Sequence, residues 1–423
     1  MNSFSIQSFG CRVNQAEAFQ WADKFQRRGL RYHKRHQESD MILVNTCTVT
    51  SRADRDARNF IRRMHRENPR AKIVVTGCFA EKSREELQRL PGIWRVFSNL
   101  EKEGLPDRLL ADLPEESDVY LEPFRSRALI KIQDGCDFGC TFCIVPSVRG
   151  KSRSYSLEEI LQQAHYIVEQ GFHEIVLAGV NLCLYGRDLD PPLSFQSLLE
   201  AVCAVEGIQR LRLSSLDPRF LDEALLEHLV TDPKICPHFH LSLQHGADRV
   251  ISLMGRKIST ADYDRILDFL SCRSPRAALG TDIIAGFPGE TSGDFAEMST
   301  FLEEAPLTYF HVFSYSPRPG TPAADWEQVH PEDKKERAVN LRALAKKKNL
   351  EFRKRFLNSE CEAIVIEKQE GGVTRALTDN YIEITLPDCP AAEKDLLKIR
   401  IAAVSEQETR GAALDSEDRK DNK

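Results

Sequence analysis

Long apolar runs are missing from this 423-residue chain, and their absence sets the first bounds. No stretch approaches the roughly 20 residues that a membrane-spanning helix needs. The opening MNSFSIQSFG lacks the basic-then-apolar pattern of a secretion signal, so the chain is expected in the cytoplasm and off the membrane. In that compartment twelve cysteines are not a disulfide framework; they argue for metal or redox chemistry. An excess of charge of one sign is lacking too, with 58 Lys and Arg against 64 Asp and Glu and a net charge of only −6. It is unevenly spread. Residues 1–115 hold 21 Lys and Arg against 15 Asp and Glu, a balance of +6 that leaves −12 for the remainder. The length implies two or three domains rather than one.

What is present is a cysteine triplet. Cys136, Cys140 and Cys143 stand in GCDFGCTFC, a C-x3-C-x2-C run with Phe142 before the last cysteine. Three thiolates at this spacing can hold three irons of a [4Fe–4S] cluster and leave the fourth iron open to a small molecule. Zinc sites and fully ligated electron carriers need four ligands and suit the triplet poorly. Simple packed thiols are the remaining reading, but buried cysteines have no reason to crowd a glycine-punctuated loop.

Three more cysteines share a local context. Cys11 follows FSIQSFG, Cys47 follows MILVNT and Cys78 follows KIVVTG, and these apolar runs alternate with helical patterns. Such alternation predicts a parallel sheet whose C-terminal strand ends gather along one edge. Cysteines 36 and 31 residues apart then converge, either as a second three-thiolate site or as three separate buried thiols. Cys183, Cys203, Cys236, Cys272, Cys361 and Cys389 are scattered and read as packing residues.

The fold class is α/β in three parts. Residues 1–115 predict a parallel α/β domain, followed by an acidic, proline-bearing linker at DLPEESDVYLEP. Residues 122–352 hold six strand candidates alternating with helices, an incomplete (β/α)6 barrel open on one side, with the triplet loop at its C-terminal mouth. A basic helix closes this part, with 10 Lys and Arg against 4 Asp and Glu between 332 and 356. Residues 356–405 predict a small β-barrel, and 406–423 a disordered tail. Arg55, Arg58, Arg62 and Arg66 share a helix face that either tracks a phosphate backbone or is simply solvated, since Asp54, Asp56 and Glu67 interleave. Lys346 and Lys347 of the basic helix are the second candidate contact for a phosphate backbone.

The triplet resembles the signature of radical S-adenosylmethionine (AdoMet) enzymes. Together with Cys11, Cys47, Cys78 and the small C-terminal β module, it resembles the methylthiotransferases over nearly the whole chain. The resemblance implies an auxiliary [4Fe–4S] cluster on Cys11, Cys47 and Cys78, and a catalytic one on Cys136, Cys140 and Cys143 whose open iron is chelated by the amine and carboxylate of AdoMet. One electron then splits the sulfonium to a 5′-deoxyadenosyl radical. It implies a TRAM-like module that helps bind RNA. The strings LAGVNLCLYG, RLSSLDP, CPHFHLSLQHGAD and DIIAGFPGE are family-like. They fall at strand ends, where Phe142, Gly179, Asn181, Ser215 and Gln244 line the cofactor and Gly286 admits it closely; ordinary turn structure is the bland reading. His245 departs from the family's usual serine, and His240, His245 and His311 read as core or loop histidines. GCRVNQAE, with Val13, Asn14 and Gln15, resembles the branch that methylthiolates threonylcarbamoyladenosine beside the tRNA anticodon. The implied partners are the tRNA anticodon loop and an electron donor such as flavodoxin or ferredoxin, with the enzyme a monomer. The alternatives are isopentenyladenosine or a ribosomal-protein aspartate as substrate, and a non-catalytic iron–sulfur sensor that binds RNA.

Overall fold

Each apolar run of the first segment is a strand covered on both faces. In the computed structural model, which describes residues 1–111, 125–369 and 372–414, Ser3–Ser8, Met41–Thr46 and Lys72–Gly77 pair in parallel. Arg31–Tyr32 and Ile93–Val96 complete this five-stranded sheet at its edges. Met41–Thr46 is buried throughout, as a strand sandwiched between helix layers must be. Phe4 and Leu43 pack against Trp21 and Phe25 of the Arg12–Arg27 helix, while Ile42 and Val44 meet Ile61 and Met64 of Ser51–Glu67 on the other face. The acidic linker lies outside the described residues.

The second part is the expected six-unit partial barrel. Ala128–Lys131, Glu174–Ala178 and Arg210–Leu213 form one parallel sheet. Beyond Ser214 the same chain segment continues as Ser215–Leu216 and pairs instead with His238–Leu241, then Ala278–Ala285 and Tyr309–Ser314. Outward side chains Ile130, Ile175 and Leu177 pack on Ile160, Ala164 and Ile167 of the Leu157–Glu169 helix. That helix begins at a capping box between Ser156 and Glu159, and Thr260–Arg273 and Ser292–Glu304 open on similar Ser259/Asp262 and Thr291/Asp294 pairs. Period-two alternation turns Lys131, Glu174, Arg212, His238, His240 and Asp282 toward the lumen. The interior is therefore polar rather than filled with branched aliphatics. The Arg12–Arg27 helix of the first domain covers one side of it, laying Ala16 on Leu129, Val176 and Ala178.

The basic stretch forms one helix, Pro331–Lys354, packed along the last barrel strand. After it, Glu360–Lys368, Val373–Thr378, Glu383–Pro387, Leu396–Val404 and Thr409–Ala413 make a closed barrel. This corrects the expected tail. Residues 409–413 are the strand that closes the barrel, because Thr409 and Gly411 turn inward despite the polar look of the segment. Residues 415–423 lie outside the described ones. Cys272 is also corrected: it is exposed on its helix, whereas the other five cysteines read as packing residues are buried.

Candidate iron–sulfur and cofactor centre

The sheet edge brings Cys11, Cys47 and Cys78 together. Cys11 caps the Arg12–Arg27 helix, Cys47 follows Met41–Thr46, and Cys78 opens the Cys78–Lys82 helix directly after its strand. Gly10 makes the approach possible. Its φ is +86°, and a Cβ there would lie 2.6 Å from the Cys47 Sγ. Burial first, then the neighbouring Cys11 and Cys78 thiols, pushes Cys47 up to about 12. A bare thiol so placed keeps its proton, and a bound metal is what would displace it.

Cys136, Cys140 and Cys143 line an open cavity of about 160 Å³ just beyond the first barrel strand. Burial also pushes Cys143 up to about 12, with Cys140 and Cys136 adding to the effect. Phe142, Asn181, Ser215 and Gln244 line the cavity, as do Asp217, Arg219 and Arg256, which the sequence reading missed. The string RLSSLDP contains Asp217, with Arg219 directly after it, but Ser215 is the residue it marks as a cofactor contact. Asn181 Nδ2 donates to Asp217 Oδ2 at 2.9 Å, and Arg219 Nε donates to Asp217 Oδ1 at 2.9 Å. The Asn181 Oδ1 acceptor and the Arg256 Nε donor are buried without a hydrogen-bond partner. An unmet acceptor and an unmet donor beside three thiols fit a cofactor that carries both an ammonium and a carboxylate, as AdoMet does.

Two glycines are corrected. A Cβ on Gly286 would lie 2.6 Å from Lys334 Cγ, so this residue, at φ +69°, admits the Pro331–Lys354 helix rather than a cofactor. Gly179 is absent from the cavity lining, and a Cβ there would lie 3.0 Å from Leu182 Cδ2 and 3.2 Å from Gln133 Oε1. His245 is structural: buried, it accepts from the Ala247 amide at Nδ1 and faces Glu290 with Nε2 at 3.4 Å.

A short helix, Val145–Arg149, joins the two triads. Val148 and Ile144 pack on Cys78, and Arg149 Nε donates to Cys78 Sγ at 3.2 Å. The Arg149 side chain is 2 % exposed and also binds Asp134 at 2.6 Å and Glu17 at 3.3 Å. Lys102 reaches Glu17 at 2.7 Å, and Lys131 reaches Glu17 at 3.2 Å and Asp134 at 3.3 Å. Three buried cations thus face two buried carboxylates. The surplus positive charge lies beside Cys78, where a thiolate-bound cluster is anionic.

Inside the lumen, His240 Nε2 and His311 Nδ1 approach the Asp282 carboxylate at 3.2 and 3.1 Å. The sequence reading left both histidines as core or loop residues. His311 opens onto a groove of about 970 Å³ between the Pro331–Lys354 helix, the last barrel strand and the small barrel, lined also by Tyr309, Lys346, Lys347, Arg353 and Tyr381. Arg55, Arg62 and Arg66 are exposed on Ser51–Glu67. Arg58 is set apart from them, paired with Glu86 at 2.9 Å and lying over the Phe79 ring.

Residues 3–98 match the family model described as uncharacterized protein family UPF0004, and residues 130–302 match the radical SAM superfamily. Threonylcarbamoyladenosine tRNA methylthiotransferase MtaB of Aquifex aeolicus is 37 % identical over 90 % of this chain and 95 % of its own length. The protein of the same name from Bacillus subtilis is 34 % identical over 95 % and 94 %. A tRNA-2-methylthio-N(6)-dimethylallyladenosine synthase of a Sulfurihydrogenibium species is 35 % identical over 90 % and 93 %. The radical AdoMet methyltransferase TsrM of Kitasatospora setae, at 14 % identity, shares the fold with a TM-score of 0.55 over 77 % of this chain and 75 % of its own. Matched along almost the full length of its relatives, the chain belongs to the radical AdoMet methylthiotransferases, transferases that work with AdoMet and two [4Fe–4S] clusters.

Proposed function

We propose that this enzyme places a methylthio group on position 2 of N6-threonylcarbamoyladenosine beside the anticodon of tRNA. Two cysteine triads joined through the Arg149 bridge to Cys78 carry the reading, because it asks one chain to hold a radical source and a sulfur source against one target. The relatives named for threonylcarbamoyladenosine support that substrate. When bound, AdoMet and the clusters supply the radical, the sulfur and the methyl group, chemistry that an unactivated aromatic C–H bond requires.

The protein's own residues do the positioning. Cys136, Cys140 and Cys143 hold the catalytic cluster, and Cys11, Cys47 and Cys78 the auxiliary one. Asn181, Ser215, Gln244 and Arg256 orient AdoMet. The groove below Lys346 and Lys347 admits an unpaired loop nucleotide that a duplex could not present, with Arg55, Arg62 and Arg66 tracking the backbone. A flavodoxin or ferredoxin as donor, a monomeric state and a cytoplasmic location belong to the same reading.

Nucleoside analysis by mass spectrometry of tRNA from a strain lacking this gene tests it. The expected result is loss of 2-methylthio-N6-threonylcarbamoyladenosine alone. Loss of the methylthiolated isopentenyladenosine instead would assign the other substrate, which the Sulfurihydrogenibium relative's name keeps in view.

A further inference from the structure

At the N-terminal ends of the barrel strands, at the end away from the Cys136, Cys140 and Cys143 loop, the lumen has a floor of arginines around a tyrosine from the small barrel. Tyr381 lies in the turn between Val373–Thr378 and Glu383–Pro387 and has a φ of +69°. Arg212 holds that turn by donating to Thr378 O at 3.1 Å and Asp379 O at 2.9 Å. The Tyr381 ring stacks on His238 with centroids 4.1 Å apart, and Arg212 and Arg127 lie 5.2 and 6.0 Å from its centre. Arg12, the residue after the Cys11 ligand, completes the ring of contacts. One of its terminal nitrogens meets the Tyr381 hydroxyl and the other donates to Gln15 Oε1 at 2.9 Å.

Positive charge exceeds negative here. Glu174, fully buried, is shared by Arg212 at 2.8 Å, Arg127 at 3.5 Å and Arg210 at 3.8 Å. Arg210, its side chain only 6 % exposed, also lies 3.6 Å from Glu362, and neither of its terminal nitrogens has a hydrogen-bond partner. Arg12 meets a phenol and a side-chain amide, neither of them a carboxylate. Burial raises the Tyr381 phenol, but Arg12, Arg127 and Arg212 more than offset this and leave it below its ordinary value. Buried cations without matching anions are costly, so such a pocket favours an incoming anion. Tyr381 lines the large groove and Arg12 a neighbouring cavity of about 470 Å³, so the pair stands between them.

Resting on the proposed function, we propose that Arg12 and Tyr381, backed by Arg127, receive the carboxylate carried on N6 of the target adenosine. On the adenine ring, positions 2 and 6 are separated by one nitrogen. A base that presents position 2 to the cysteine end directs its N6 substituent away from it, several bonds deeper into the lumen. A threonylcarbamoyl group ends there in a carboxylate, which a guanidinium pairs with strongly. An isopentenyl group ends in methyls and would leave the cations unmatched. The floor thus selects an acidic substituent.

The test uses cluster-loaded full-length enzyme and anticodon stem-loop RNAs that carry N6-threonylcarbamoyladenosine or its carboxamide, which removes the charge and little else. Affinity is read by fluorescence anisotropy and turnover by kcat and KM. Wild type should prefer the acid by about tenfold or more, mostly in KM. Arg12→Met should abolish the preference, and Arg12→Lys should restore part of it. A preference unchanged in Arg12→Met overturns the proposal. So does an equal loss on both RNAs, which is also what a backbone phosphate contact would produce. A wild type that turns over neither RNA, yet acts on a third stem-loop carrying N6-isopentenyladenosine, removes the proposed function itself, a result distinct from failure of Arg12 alone.

Discussion

Arg149 donates its Nε to the Sγ of Cys78 across 3.2 Å, and this contact ties the first domain to the barrel through the short helix that follows the Cys136–Cys143 loop. Arg149 is also the cation that Glu17 and Asp134 share with Lys102 and Lys131. Arg149→Met removes one partner of a buried ionic cluster and the donor to a cluster ligand. Unfolding free energy should fall by about 3 kcal/mol, measured by denaturant titration of the cluster-loaded enzyme. Iron should be lost from the Cys78 side first.

The two triads should fail differently. Cys47→Ser should lower iron from about eight to about four atoms per chain, keep reductive cleavage of AdoMet to 5′-deoxyadenosine and abolish methylthiolated product. Cys136→Ser should abolish the cleavage itself. Iron assay and chromatography of both products check the pair, and product formation by Cys47→Ser would exclude the auxiliary-cluster role.

Lys346 and Lys347 are exposed at the rim of the large groove. If both meet phosphates, changing the two to alanine should reduce the slope of log affinity for tRNA against log salt by about 1.4, at roughly 0.7 per contact with an unpaired strand. A filter-binding series over salt concentrations measures it. An unchanged slope would take the groove out of RNA binding.

His238 gives a pH dependence with a definite sign. Burial first, then Arg212, His240, Arg12 and Arg127, holds its imidazole well below the ordinary 6.5. The unfolded chain therefore takes up a proton more readily than the folded one. The stability tied to neutral His238 is complete above about pH 6.5 and is lost as pH falls toward the depressed folded value. The Tm should decline from about pH 7 to about pH 5, and His238→Gln should flatten that decline.

Much of the frame was legible before any coordinates, and for a local reason. Strand and helix periods are set by neighbours two to four positions away, so MILVNT, KIVVTG and HFHLSLQ announce strands by themselves. Cysteines directly after such strands must gather at one sheet edge, which made the triad of Cys11, Cys47 and Cys78 readable, while the C-x3-C-x2-C spacing within one loop showed the other. Gly286 misled because a glycine signals only a close approach and not what approaches; here it is Lys334. The tail misled because Thr409–Ala413 has little apolar content of its own and becomes a strand by pairing with Leu396–Val404.

By itself, then, the sequence determined two triads of thiols, a six-strand partial barrel and a basic helix, all written in short spacings. Tertiary structure alone decided that Arg149 reaches Cys78, 71 residues away, and that Arg12 reaches Tyr381, 369 residues away. Both contacts join separate domains, and an arginine carries no local mark of its distant partner. The docking of one folded surface on another selects it.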